Sequence, residues 1–241
     1  MVTSPRASRF VLAGAAVAVF TLLVGALGSR FGVWTFFVGF YFLFAGILVA
    51  LICAVWGVAA LVFLRGQDRA KGRASFGYGT ILSAVVLVFM FVQFMDASRL
   101  PPIHDISTDR QDPPEFDHLI AVRGTTSNDL TYSDDERLQQ ASAYPTINTL
   151  RSERDLNESF DRALAVAETM GWEIVNIDRR AGIVESTATT FWFGFKDDVV
   201  IRLRNDNGMT LIDLRSVSRV GMSDLGANAA RIARFLEEFN G

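Results

Sequence analysis

Three long apolar runs, residues 10–28, 34–64 and 75–95, open the chain, and after residue 95 the pattern changes to short amphipathic segments. None of the three runs contains an acidic or basic side chain; Arg30 falls in the gap between the first two. Uncharged apolar stretches of about 18 or more residues predict transmembrane helices. The first run follows Arg6 and Arg9 and ends in Ala26-Leu27-Gly28, a small-residue sequence that also fits a signal-peptide cleavage site. Its apolar length exceeds the roughly 7–15 residues of a signal core, so a retained span is expected. The second run begins with Trp34, Phe36, Phe37, Phe40 and Tyr41, residues suited to a membrane–water interface. Gly46, Ala50 and Ala54 place small residues on one of its faces, which lets helix backbones approach closely.

Beyond the spans the pattern predicts an arm and then a folded unit. Residues 96–150 carry Pro101-Pro102 and Pro113-Pro114, which favour extended backbone, and are read as an extended arm. From residue 151 the periodicities sharpen. Asp155 and Glu158 have capping-box spacing, Leu156, Phe160, Leu164, Ala167 and Met170 recur at helical intervals, and Gly171 ends the helix. Strands are expected at 172–178, 183–190, 199–204 and 209–217, with Asn207-Gly208 as a type I′ hairpin turn between the last two. Ser223 is the expected N-cap of a final helix whose buried stripe is Leu225, Ala229, Ile232, Leu236 and Phe239. The predicted fold class is α+β. Three transmembrane helices precede a two-layer domain with a four-stranded antiparallel sheet and flanking helices.

Charge adds orientation. Residues 1–95 hold 7 Lys/Arg against 1 Asp/Glu, whereas residues 96–241 hold 16 against 25. The loop expected at 65–73 carries four of the positive charges, so the positive-inside rule puts it and the N-terminus in the cytoplasm. Three spans then carry residues 96–241 to the other side, the periplasm in a Gram-negative cell. A net-acidic domain is a poor nucleic-acid partner. The spans carry no internal charge, which argues against a transporter or channel. Cys53 is the only cysteine, so the soluble part can form no internal disulfide.

The hairpin register gathers the candidate chemistry. With Asn207-Gly208 as the loop, Arg202 faces Asp213, Val200 faces Arg215 and Asp198 faces Val217. Asp198 then lies diagonal to Arg215 and Arg219, all on one face. Val199, Ile201, Leu203, Ile212 and Leu214 point to the core on the other. Two readings of the charged face follow: a structural ion-pair network, or an anion site made by Arg215, Arg219 and the N–H groups opening the last helix. A nucleophilic Ser216 or Ser218 lacks a nearby base, and no Gly-x-Ser-x-Gly elbow occurs. Asp197 and Asp198 point to opposite faces and make a poor acid/base pair. His104 and His118 stand among acidic residues without the spacing of a zinc motif, so neither metal nor cofactor is expected. The aromatic run Phe191-Trp192-Phe193-Gly194-Phe195 is expected in the core.

Three blocks of this sequence resemble the family called domain of unknown function 1499: Lys196 to Arg202, Ile212 to Gly221, and Ser223 to Ile232. Pro101 to Asp109 resembles its opening block and Gly171-Trp172 its middle, so the resemblance covers about residues 97–240. It implies a bacterial-type envelope protein and supplies no activity, cofactor or catalytic residue.

The expected protein is an integral inner-membrane protein whose domain outside the cytoplasm binds rather than catalyses. Candidate binding residues are Asp198, Arg202, Asp213, Arg215, Ser218, Arg219, Ser223, Asp224, Asn228 and Arg231. The expected partners are the membrane itself and an envelope protein or an anionic lipid head group. The alternative is an envelope hydrolase acting on a lipid or cell-wall substrate.

Overall fold

The computed structural model describes residues 5–63 and 66–241. They divide into two compact units: residues 1–96 with the segment Phe191–Gly194, and residues 97–190 with 195–241.

The first unit contains three helices, α1 (Pro5–Arg30), α2 (Phe36–Phe63) and α3 (Gly66–Ala97). All three are long and apolar enough to cross a membrane. The positive 65–73 segment is not a loop throughout, because α3 already begins at Gly66. Arg65 itself and the side chains of Gln67 to Lys71 lie outside the described residues. On α2 the buried positions are Gly39, Gly46, Ala50, Cys53, Gly57 and Ala60. From Gly46 onward they are spaced alternately four and three apart, the seam of a helix packed by knobs and holes. Ala54 is half-buried beside that seam rather than within it. A Cβ at Gly46 would lie 3.0 Å from the Ala18 carbonyl oxygen, so the small side chain is what lets α1 and α2 touch.

The second unit is built on a six-stranded antiparallel sheet, rather than the four strands expected. Its strands are β1 (Asp105–Ser107), β2 (Leu150–Ser152), β3 (Glu173–Asp178), β4 (Ile183–Thr189), β5 (Lys196–Asp206) and β6 (Met209–Ser218). The order is β1-β6-β5-β4-β3, with β2 also on β6. Of the two extra strands, β1 lies within the stretch read as an extended arm, residues 96–150, and β2 straddles its end. Each is three residues long, too short to show alternation, and each pairs with the outer edge of β6. The same stretch forms α4 (His118–Val122) and α5 (Asp134–Ala143). The hairpin register is as predicted, with Asp206 opposite Met209 and Arg202 opposite Asp213. Asn207 and Gly208 both have positive φ, 51° and 87°, the backbone a type I′ turn requires.

Helices α6 (Leu156–Thr169) and α7 (Ala227–Asn240) share the core cluster of one sheet face. Phe160, Ile232, Phe235 and Phe239 pack with Val199, Ile201, Leu203, Ile212 and Leu214, and Trp172 stacks on Phe235 at 5.5 Å between centroids. Asp155 caps α6, its carboxylate accepting from the N–H groups of Asn157 and Glu158. The start of α7 differs from expectation. Its N-cap is Gly226, not Ser223, because Leu225 and Gly226 both turn left-handed, with φ of 53° and 80°. Leu225 is consequently exposed, and Phe235 takes a place in the buried stripe.

The opposite sheet face is also covered. Phe116 and Leu119 form a second apolar cluster with Val200 and Val217. The sheet therefore lies between two layers, not against one.

The aromatic run departs most from its expected core position. Thr190 and Phe195 close a turn, the Thr190 N–H donating to the Phe195 carbonyl and the Phe195 N–H to Thr190 Oγ1. Closure leaves Phe191 67% and Trp192 50% exposed at its tip.

Candidate functional site

Strand alternation sends every second residue of β5 and β6 away from α6 and α7. Two of these, Asp198 and Asp213, are fully buried, and Arg215 is 3% exposed. An ionised group in such a place needs a partner of opposite charge and hydrogen bonds to its remaining atoms.

Arg215 finds its carboxylate on β1. Its Nε donates to Asp105 Oδ1 at 3.1 Å and its Nη2 to Oδ2 at 2.6 Å, a bidentate fork. The guanidinium also donates to the Pro114 and Leu130 carbonyls and lies 5.5 Å from the Phe116 ring centroid. The diagonal partner expected from the hairpin, Asp198, is engaged elsewhere. It accepts from Arg123 Nη1 at 2.7 Å, from Arg219 Nη2 at 2.8 Å and from Thr187 Oγ1 at 2.9 Å. Asp213 accepts from Thr149 Oγ1 at 2.6 Å, Arg202 Nη2 at 3.1 Å and Arg204 Nη2 at 2.9 Å. Asp109 joins both of those arginines, and Asp112 joins Arg202.

Burial leaves its mark on these groups. It pushes the Asp105 carboxyl up, against the downward pull of the Arg215 hydrogen bonds. Burial pulls the Arg123 guanidinium down, and Asp198 opposes that.

A further buried carboxylate, Glu185 on β4, accepts from the N–H groups of Asp117, His118 and Leu119 at 2.8, 3.0 and 3.3 Å. It also accepts from Asn176 Nδ2 at 3.3 Å. It satisfies the donors that open α4. His118 Nδ1 lies 3.5 Å from Glu185, and His104 Nδ1 lies 3.4 Å from Glu136. Among the described residues, no three His, Cys, Asp or Glu side chains converge to hold a metal ion.

The α7 side carries a second polar cluster. Asp197 points there, opposite to Asp198, and accepts from Arg231 Nη2 at 2.5 Å. Arg231 Nη1 donates to Ser216 Oγ at 2.9 Å and also reaches Asn228 Oδ1. Ser216 Oγ donates to Asn228 Oδ1 at 2.7 Å, and Asn228 Nδ2 donates to Ser218 Oγ at 3.0 Å and to the His104 carbonyl at 2.8 Å. Asp224 accepts from the Gly226 and Asn228 N–H groups at 2.8 and 2.7 Å, so a carboxylate already occupies the opening of α7. Burial pushes the Asp224 carboxyl up, offset in part by those two hydrogen bonds. Ser223 Oγ accepts from the Leu225 N–H at 3.2 Å.

The ten candidate residues thus fall into two clusters on opposite sheet faces. Asp198, Arg202, Asp213, Arg215 and Arg219 are on one. Ser218, Ser223, Asp224, Asn228 and Arg231 are at the start of α7. Sequence reasoning passed over Asp105, Arg123 and Glu185. No local periodicity marks them, because their partners lie 110, 75 and about 67 positions away.

An open groove of about 290 Å³ borders the second cluster, lined by Met170, Trp172, Thr189, Ala227, Arg231 and Arg234. Its lining mixes apolar side chains with two guanidiniums, those of Arg231 and Arg234.

Comparison with known proteins returns one family. The model of a protein family of unknown function, DUF1499, matches residues 105–239, more than half of the chain. No curated protein matches.

Proposed function

This chain belongs to the DUF1499 family, and from its own geometry we propose an integral inner-membrane protein of a bacterial envelope that presents residues 96–241 outside the cytoplasm to bind a partner. The basic 65–73 segment supports that orientation, since positive charge is retained on the cytoplasmic side.

One observation carries binding over catalysis: the groups that chemistry would need are already committed to the fold. Ser216 Oγ is a donor to an amide oxygen and an acceptor from a guanidinium, not a hydroxyl beside a base. Asp198, Asp213 and Arg215 are buried in ion pairs. The groove beside α7 is open to a partner. Arg234, well exposed there, suits an anionic group on an envelope protein or a lipid head group.

The test has two arms. A phosphatase fused after Gly241 should be active in a bacterial host; an inactive phosphatase beside a fluorescent cytoplasmic reporter overturns the orientation. A photocrosslinker at Arg234 of the full chain in native membranes should capture a partner that one at Asn207 does not. Covalent labelling of Ser216 or Ser218 by a fluorophosphonate would overturn binding in favour of hydrolysis.

A further inference from the structure

The turn at Phe191–Gly194 lies far along the chain from the three long helices, yet it belongs to their compact unit. Within that unit its neighbours are the end of α1 and the start of α2. Ser29 Oγ donates to the Phe193 carbonyl at 3.0 Å. The Phe193 and Phe40 ring centroids are 5.1 Å apart. Arg30 places its guanidinium carbon 5.4 Å from the Phe191 ring centroid. Gly194 is needed here twice over: its φ is +69°, and a Cβ would lie 2.8 Å from the Arg30 Cα.

These neighbours mark a depth. Arg30 is the last residue of α1, Trp34 lies in the connection that follows, and Phe36 and Phe40 stand at the start of α2. A charge at a span's end followed by aromatic residues is the composition of a membrane–water interface. Aromatic rings that join an apolar body to a polar edge favour that zone. A soluble domain gains nothing from Phe191 and Trp192 side by side in water, whereas at this depth their exposed rings meet head groups and the first acyl carbons.

We propose that Phe191 and Trp192 form an interfacial anchor, a lipid-contacting turn set among head groups at the level of the α1–α2 connection. A chain that crosses three times brings Arg30 and Asp96 out on the same side, so the same leaflet serves both. The anchor does not depend on which compartment that side faces, so its failure and failure of the orientation proposed above are separate outcomes.

The experiment uses the full chain in phosphatidylcholine–phosphatidylglycerol nanodiscs. Cys53→Ala removes the only cysteine, and an NBD fluorophore is then attached at Trp192→Cys or, as a control, at Asn207→Cys on the exposed hairpin tip. We expect aqueous dithionite to reduce the label at 192 at least tenfold more slowly than at 207. A doxyl group near the lipid head should quench only the label at 192. Equal dithionite rates overturn the anchor. Shielding from dithionite without quenching by lipid also overturns it, because protein and not lipid then covers the turn. A second measurement leaves the turn nearly intact: Trp192→Phe should remove part of the tryptophan emission that brominated lipids quench. An unchanged quenched fraction counts against the proposal.

Discussion

The two faces of the β5–β6 hairpin are interleaved residue by residue, yet they are finished in different chemistry. On one, Val199, Ile201 and Leu214 meet Phe160, Phe235 and Phe239 from α6 and α7. On the other, Asp198, Arg202, Asp213 and Arg215 meet Asp105, Asp109 and Arg123 from the stretch before the first long helix of the domain. Apolar burial is tolerant: any side chain of about the right volume contributes, at roughly 25 cal/mol per Å² removed from water. Charge burial is exacting, since each group needs one particular partner and loses heavily without it. The comparison teaches that the second face sets the identity of what covers it, while the first sets only how much.

The sharpest way to break the comparison is to remove one charge. Arg215→Met strands Asp105 in the interior, and the full chain should lose about 3–5 kcal/mol, read as a lowered unfolding midpoint. Phe235→Ala on the apolar face should cost a similar amount, about 3–5 kcal/mol, through its cavity. The faces then separate on a second substitution. Adding Asp105→Leu to Arg215→Met should restore most of the loss, because an apolar pair of similar volume replaces an ion pair. A double variant as unstable as the single one would show that the guanidinium's bonds to the Pro114 and Leu130 carbonyls matter more than its charge partner.

Next in size is Glu185→Ala. It removes the acceptor of three backbone N–H groups, and a loss of about 2 kcal/mol is expected. Hydrogen exchange should quicken first at residues 117–119; uniform quickening across the sheet would refute a local capping role. Smaller still is Gly208→Ala. Nothing lies within 4 Å of the added Cβ, so only the positive φ penalises it, by about 1 kcal/mol in a chemical denaturation curve.

The last prediction is a slope. The folded state raises the Asp224 carboxyl above 3.8, so near that pH it holds a proton the unfolded chain has released. Such a group's stabilisation is complete below 3.8 and is lost as pH rises through the raised value, opposite to the usual salt-bridged carboxylate. The stability of the parent minus that of Asp224→Asn should therefore fall as pH climbs from about 4. A rising difference would mean that the hydrogen bonds from Gly226 and Asn228 outweigh desolvation.

The apolar face and the hairpin were legible in the sequence because their rules are local. Asn207-Gly208 sets the register, alternation sets the faces, and Asp155 marks where α6 begins. The charged face was legible only as half of an interaction. Asp198 and Arg215 could be placed on one surface, but Asp105 opens the three-residue β1 and Arg123 follows the five-residue α4, elements too short for any period to point at them. The Ser133-x-x-Glu136 capping box was present in the sequence. It went unread because α5 carries Asp134, Asp135 and Glu136 with an exposed Leu138, and so shows no apolar stripe. At α7 the serine signal misled, because two consecutive left-handed residues delay the helix and a carboxylate at Asp224 caps it from outside.

The placement of β1 has a consequence in time. Asp105 pairs across the sheet with Val217 on the strand made last. At the roughly 5–20 residues per second of protein synthesis, the gap between them is on the order of ten seconds. Through that interval the Asp105 carboxylate waits hydrated, with no guanidinium to fork around it. The edge of the sheet is stitched only when β6 arrives, so a chain cut short before Met209 has lost the strand on which β1, β2 and β5 all converge.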